Sequence, residues 1–201
     1  MKRYIISLAV AAAPAPAFAQ DARDTFGGFY AGPVLGIDTF EGDGDEGETG
    51  VLYGGVVGYD LPGDRAIFGA EAELSQSSID ESEGDLFVAG DRLTLSIGYD
   101  LYVGLRAGLR VGPAGLLYLK GGYTNLDVNA RYAAPDSITL RATEALDGYR
   151  LGAGGEVKLS RNLLARLEYR YSDYDSGEID DEFESIDIKR HQGAASLLFR
   201  F

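Results

Sequence analysis

The chain has no cysteine and no tryptophan, and only one histidine and one methionine. Without cysteine there is no disulfide framework, no thiolate nucleophile and no thiolate metal site. A single histidine, His191, excludes a histidine-clustered zinc centre. No G-x-S-x-G is present, so the nucleophile elbow of the serine hydrolases is excluded. The glycines of the first strands form no phosphate loop, since no Lys-Ser/Thr follows them. Basic residues are scarce, 18 Lys and Arg against 32 Asp and Glu, for a net charge of −14. That balance argues against a nucleic-acid binder, which needs stripes of Lys and Arg. No segment reaches the run of about 18 apolar residues that a membrane helix requires. What is present in the 201 residues is 45% apolar side chains, 28 glycines and 13 tyrosines, enough for one domain with a core.

Residues 1–20 read MKRYIISLAVAAAPAPAFAQ. Lys2 and Arg3 form a positive start, Tyr4 to Ala13 a short apolar stretch, and Ala17-Phe18-Ala19 a cleavage site. This is a secretory signal peptide, too short for a membrane helix and interrupted by Pro14 and Pro16. An exported chain without a membrane helix is either soluble beyond the inner membrane or a closed barrel in the outer one.

The stretch from Arg92 to Val111, RLTLSIGYDLYVGLRAGLRV, bears on that choice. Its odd positions (Leu93, Leu95, Ile97, Tyr99, Leu101, Val103, Leu105, Ala107, Leu109, Val111) are apolar apart from one hydroxyl. Its even positions are small, polar or charged. Strict period-two alternation marks a strand between two unlike environments. Strands of soluble domains run about 5–6 residues, whereas a tilted strand crosses a bilayer in about 9–11. Alternation alone does not say which face is wet.

Loop lengths do. Strands are expected at Phe29 to Ile37, Val51 to Leu61, Ala66 to Leu74, Arg92 to Val111, Leu116 to about Val128, Gly148 to Leu159, Leu163 to Tyr174 and Ile188 to Phe201. The connections alternate long and short. Pro62-Gly63-Asp64-Arg65, Gly112-Pro113-Ala114-Gly115 and Ser160-Arg161-Asn162 are tight turns. Glu41 to Gly50, Ser75 to Asp91, Asn129 to Asp147 and Asp175 to Asp187 are long loops. Short turns on one side and long loops on the other characterise outer-membrane barrels. The expectation is an all-β, eight-stranded antiparallel up-and-down transmembrane barrel over residues 21–201, after a cleaved peptide at 1–20.

The polar strand faces carry both signs. Asp60, Glu71, Glu73, Asp100, Glu156 and Glu168 stand against Arg106, Arg110, Lys120, Arg150, Lys158, Arg166 and Arg170, with glycines between them. An eight-stranded barrel is just wide enough for its side chains to fill. Buried charges left unpaired are costly, so these thirteen residues are expected to form an interior ion-pair network. The alternative is a narrow ion path. Tyr53, Tyr123, Tyr149 and Tyr171 lie near the long-loop ends of their strands, and Phe29, Tyr59, Phe68, Phe199 and Phe201 near the other ends. Two such levels make interfacial girdles.

From about Phe26 to Phe201 the chain resembles the eight-stranded outer-membrane barrels of Gram-negative bacteria, the opacity-protein-like and OmpA-type transmembrane domains. The residues that carry the resemblance are GGFYAGPVLG, GYDLYVGLRAGLRVGP, LLYLKGGYTN, EYRYSDY and the closing RHQGAASLLFRF. The resemblance implies that Ala195, Leu197, Phe199 and the terminal Phe201 form an assembly signal, read by the outer-membrane barrel assembly machinery. OmpA-type chains often continue into a peptidoglycan-binding domain, and this sequence stops at Phe201.

A few barrels of this size are lipid A deacylases, which use a His-x-Ser pair on one strand face. Here the residue two after His191 is Gly193, so that pair is missing. His191 is expected on the outward face near the external rim. The acidic loops, with Glu41, Asp43, Asp45, Glu46 and Glu48 in the first and Asp175, Glu178, Asp180, Asp181, Glu182 and Glu184 in the last, read either as a solvated surface or as weak sites for a divalent ion. The expected role is structural, in envelope integrity, with no enzyme activity, no cofactor and no nucleic-acid partner. The expected partners are outer-membrane lipid and the assembly machinery, and the barrel is expected to be a monomer. A small or gated pore is the alternative.

Overall fold

A computed structural model describes residues 26–41, 48–85, 90–134, 139–175 and 187–201. The expected signal peptide at 1–20 lies outside them. So do Asp43, Asp45 and Glu46 of the first acidic loop, and Glu178, Asp180, Asp181, Glu182 and Glu184 of the last.

The described residues form β1 (Gly28–Glu41), β2 (Glu48–Leu61), β3 (Ala66–Ser77), β4 (Asp80–Gly84), β5 (Arg92–Val111), β6 (Gly115–Ala133), β7 (Thr139–Lys158), β8 (Leu163–Asp175) and β9 (Asp187–Arg200). All pairings are antiparallel. The sheet runs β3-β2-β1-β9-β8-β7-β6-β5-β4, and a β3–β5 ladder closes it. β3 and β4 pair with successive parts of β5, from Ala66↔Leu109 to Gln76↔Tyr99 and then from Asp80↔Ser96 to Gly84↔Arg92. They are one stave of an eight-stave barrel, broken at Ser78 and Ile79. Closure leaves no edge along the spanning part, which is what lets a sheet cross lipid.

The outward face is apolar, including Leu35, Ile37, Val57, Phe68, Val103, Leu105, Leu109, Leu117, Leu119, Leu151, Leu167 and Leu197. Tyr53, Tyr123 and Tyr149 face outward toward one end, and Phe29, Tyr59, Phe68, Phe199 and Phe201 toward the other. Water would not tolerate an apolar belt of this extent on a lone chain.

Three details differ from the sequence expectation. The stretch expected as a loop from Asn129 to Asp147 is largely strand, because β6 and β7 continue pairing outward to Ala133↔Thr139. Part of the expected Ser75–Asp91 loop is likewise the end of β3 and the whole of β4, paired against overhanging β5. Its residues are polar on both faces, so their sequence carries no strand period.

The third concerns parity in β5. The register shifts between Ile97 and Asp100, where Gly98 and Tyr99 form a bulge opposite β6. A bulge of one residue reverses the faces beyond it. Ile97 therefore does not follow Leu101 and Val103 outward. It packs with Val128 against Leu126, Leu146 and Tyr174, over the outer end of the barrel interior. Above the barrel the extension is tied by Tyr132, whose hydroxyl donates to Asp91 at 2.8 Å. That bond to a carboxylate pushes the Tyr132 phenol up from its ordinary value.

Candidate functional site

The inner faces of the staves bury seven carboxylates, Asp38, Asp60, Glu71, Glu73, Asp100, Glu156 and Glu168. They also bury seven cations, Arg106, Lys120, Arg150, Arg166, Arg170, Arg190 and Arg200. The formal charge of this set is zero, although the chain carries −14. The excess acidity therefore lies outside the paired interior.

The pairs are made mostly across the barrel. At the short-turn end Asp60 is held by Arg200 at 2.8 Å and Arg106 at 3.4 Å. Glu156 sits between Arg106 and Arg166, each at 2.8 Å. In the middle Glu71 receives Arg166 at 2.6 Å, Lys120 at 2.7 Å and the Tyr30 hydroxyl at 2.7 Å. Lys120 also reaches Glu168 at 2.7 Å. Glu168 accepts from Tyr118 and Arg170 as well. Arg170 grips both oxygens of Glu73, at 2.5 and 2.7 Å. Toward the long-loop end Asp100 joins Arg150 and Arg190, and Thr124 donates to it at 2.8 Å. Arg190 in turn holds Asp38 through two bonds, at 2.6 and 2.8 Å.

Two-point guanidinium–carboxylate contacts are the strong, directional kind. Most link residues far apart in sequence, as Glu73 with Arg170 and Asp38 with Arg190. Glu73 on β3 and Arg170 on β8 thus brace staves that share no hydrogen-bond ladder, while Asp38 and Arg190 tie the paired strands β1 and β9. Tyrosine rings fill the spaces between the charges. Arg106 lies 4.2 Å from the Tyr118 ring centre, and Lys120 4.6 Å from that of Tyr102. The space for those rings comes from glycines: a Cβ at Gly58 would strike Tyr30, and one at Gly154 would strike Tyr118.

Of the thirteen expected network residues, eleven are buried in this set. Arg110 and Lys158 are half-buried at the short-turn mouth, where both approach the Phe26 ring, at 5.9 and 6.0 Å. They share the inner face with the network. Sequence reading missed Asp38, Arg190 and Arg200. Parity from Phe201 would have found the two arginines, since Ala195, Leu197, Phe199 and Phe201 face outward and every other residue of β9 faces in. Nor is the inner face uniformly polar. Tyr30, Val34, Leu52, Val56, Ile67, Leu116, Leu164 and Leu198 form an apolar cluster drawn from β1, β2, β3, β6, β8 and β9. β1 and β2 carry apolar residues on both faces, so their alternation is weak in the sequence.

His191 is half-exposed on the outward face, and its Nδ1 is 2.6 Å from the Tyr169 hydroxyl. Among the described residues there is no group of three or more His, Asp or Glu placed to hold a metal ion.

Residues 5–201 match the family described as outer membrane protein beta-barrel domain. A 22 kDa outer membrane protein of Rhizobium leguminosarum bv. viciae is 31% identical over 156 residues, covering 76% of this chain and 66% of that protein. The 25 kDa outer-membrane immunogenic protein of Brucella abortus is 27% identical over 127 residues, 63% of this chain and 54% of the relative. The chain thus spans between half and two thirds of the length of these relatives. Among solved structures, Neisserial surface protein A aligns with a TM-score of 0.56 at 12% identity, covering 86% of this chain and 97% of that one. Ail, the attachment invasion locus protein of Yersinia pestis, aligns with a TM-score of 0.53 at 15% identity, covering 87% and 99%. At such identities these two likenesses concern the fold. With a closed barrel, an apolar outer belt and a family match over nearly its whole length, this chain is a protein of the outer membrane and belongs to the outer-membrane-protein β-barrel domain family.

Proposed function

We propose that the barrel is a structural element of the outer membrane, a non-enzymatic monomer whose interior is a solid polar plug. The carrying observation is the buried set of seven carboxylates and seven cations, joined by ion pairs from one end of the interior to the other. A barrel filled in this way braces itself and leaves its acidic loops available for contacts at the cell surface.

Planar-bilayer recording tests this reading. The purified barrel is expected to show no stepwise conductance above the bare membrane. Steady channels would make the interior a pore. One observation favours that second reading: the buried Ser75 and Ser77 hydroxyls, the Tyr102 hydroxyl and one Arg150 nitrogen have no protein hydrogen-bond partner among the described residues. Such groups suit water inside a barrel, and water is what an ion path would need.

We also assign Ala195, Leu197, Phe199 and Phe201 to recognition by the barrel assembly machinery. Ala195, Leu197 and Phe199 lie on the outward face of β9, which pairs with β1, and Phe201 follows it, its N–H donating to the Phe29 carbonyl at 2.9 Å. Phe201→Ala is expected to reduce the folded, heat-modifiable protein recovered in the outer-membrane fraction, while the purified variant still refolds in detergent. An equal loss in both settings would make Phe201 a stability residue instead.

A further inference from the structure

The outward layer of side chains carries a notch on β8 and β9. Leu167, Tyr169 and Gly193, with the chain at Glu168 and Ala194, outline a notch of about 350 Å³ that opens toward lipid. Neither backbone nor packing requires glycine at 193. It is not among the left-handed residues, and a Cβ there would meet nothing within 4 Å. On β1 the register neighbour of Gly193 is Ile37, a large side chain that is 62% exposed. The missing side chain thus leaves a gap beside residues that project.

A polar column stands at the outer end of this gap. In the register Tyr169 faces Gly193, Tyr171 faces His191 and Asp173 faces Lys189. The Tyr169 hydroxyl and His191 Nδ1 share a hydrogen bond of 2.6 Å. The His191 ring centre lies 5.2 Å from that of Tyr171. One outward step further, Lys189 is exposed. The neighbouring Asp173 carboxylate accepts from Tyr149 and Tyr171, both at 3.0 Å. From the middle of the belt outward, the order is an apolar notch, a tyrosine–imidazole rung, then an ammonium. A phospholipid presents the same order: acyl chain, carbonyl linkage, phosphate.

We propose that this column binds one phosphorylated acyl lipid of the outer leaflet, with an acyl chain in the notch at Gly193, its linkage beside Tyr169 and His191, and its phosphate at Lys189. The site faces away from the plug, so it holds whether or not the interior conducts. A lipid seated here would also cover β9 beside the seam with β1.

The test is native mass spectrometry of the full barrel in mild detergent with added phosphatidylglycerol. The wild type is expected to retain one lipid after the detergent is stripped. Gly193→Leu, which fills the notch, is expected to abolish that adduct, while Ala107→Leu, outward on the far wall, leaves it. Lys189→Ala is expected to weaken phosphatidylglycerol retention about fivefold, the worth of one lysine beside an anionic headgroup, and to leave diacylglycerol retention unchanged. Heat-modifiable mobility checks that every variant is folded. Equal adducts in wild type and Gly193→Leu would overturn the proposal. So would a doubled protein mass that Gly193→Leu removes, which would make the notch a contact between copies. An equal effect of Lys189→Ala on both lipids would overturn the phosphate assignment.

Discussion

Asp100→Ala is expected to destabilise the barrel by about 3–5 kcal/mol, the cost of breaking a buried ion pair from one side. Asp100 is fully buried, and it is the described carboxylate that pairs with Arg150. Arg190 would keep Asp38. Arg150 would be left with the Ser172 and Tyr174 hydroxyls, at 2.8 and 3.2 Å, and with Glu73 acting on it only through space. Thr124 would lose its acceptor as well. The measurement is a urea titration of barrels folded in lipid vesicles, read by the heat-dependent shift in gel mobility. Adding Arg150→Met removes the stranded cation, so the double variant is expected to recover much of the loss. That recovery is the coupling a double-mutant cycle isolates. If Asp100→Ala cost less than about 1 kcal/mol, the interior would be hydrated enough to screen the pair, and the pore reading would gain.

Leu105→Arg tests the opposite face. Leu105 sits mid-strand in β5 and is 71% exposed, between Ala70 on β3 and Gly121 on β6. An arginine on the lipid face near the midplane costs about 2–4 kcal/mol, falling toward zero at the interfaces. In a soluble protein the same substitution at so exposed a site would shift stability by no more than about 0.5 kcal/mol. Leu95→Arg is the matching control. Leu95 is 41% exposed but lies beyond the Gly98–Tyr99 bulge, in the part of β5 that pairs with β4 above the barrel. It is expected to stay within about 0.5 kcal/mol. Equal, small effects at both positions would remove the bilayer from the outward face.

The inferences that survived contact with the structure were local ones. Period-two alternation in GYDLYVGLRAGLRV and in GYRLGAGGEVK separates the faces without knowledge of any neighbour, because the pleat sends successive side chains to opposite sides. Turn residues at 62–65, 112–115 and 160–162 mark the short end, because tight turns need particular dihedrals. Where the local signal is weak, reading failed. The outer ends of β6 and β7 lack an apolar face, so TLRATEA resembles a loop until its pairing partner is known. The 20-residue alternation of β5 is continuous in the sequence, yet one bulge turns Ile97 inward.

The sequence by itself determined that this chain is a set of two-faced strands joined by alternately short and long connections, and which residues face lipid over most of the barrel. Only the tertiary structure decided which charges meet. Glu73 finds Arg170, Glu71 finds Arg166 and Asp100 finds Arg190 because closure and stagger carry distant staves to the same depth. Side-chain direction is set by the next peptide along the chain. Partnership across the interior is set by the register of every ladder around the barrel, and no spacing along the chain records it.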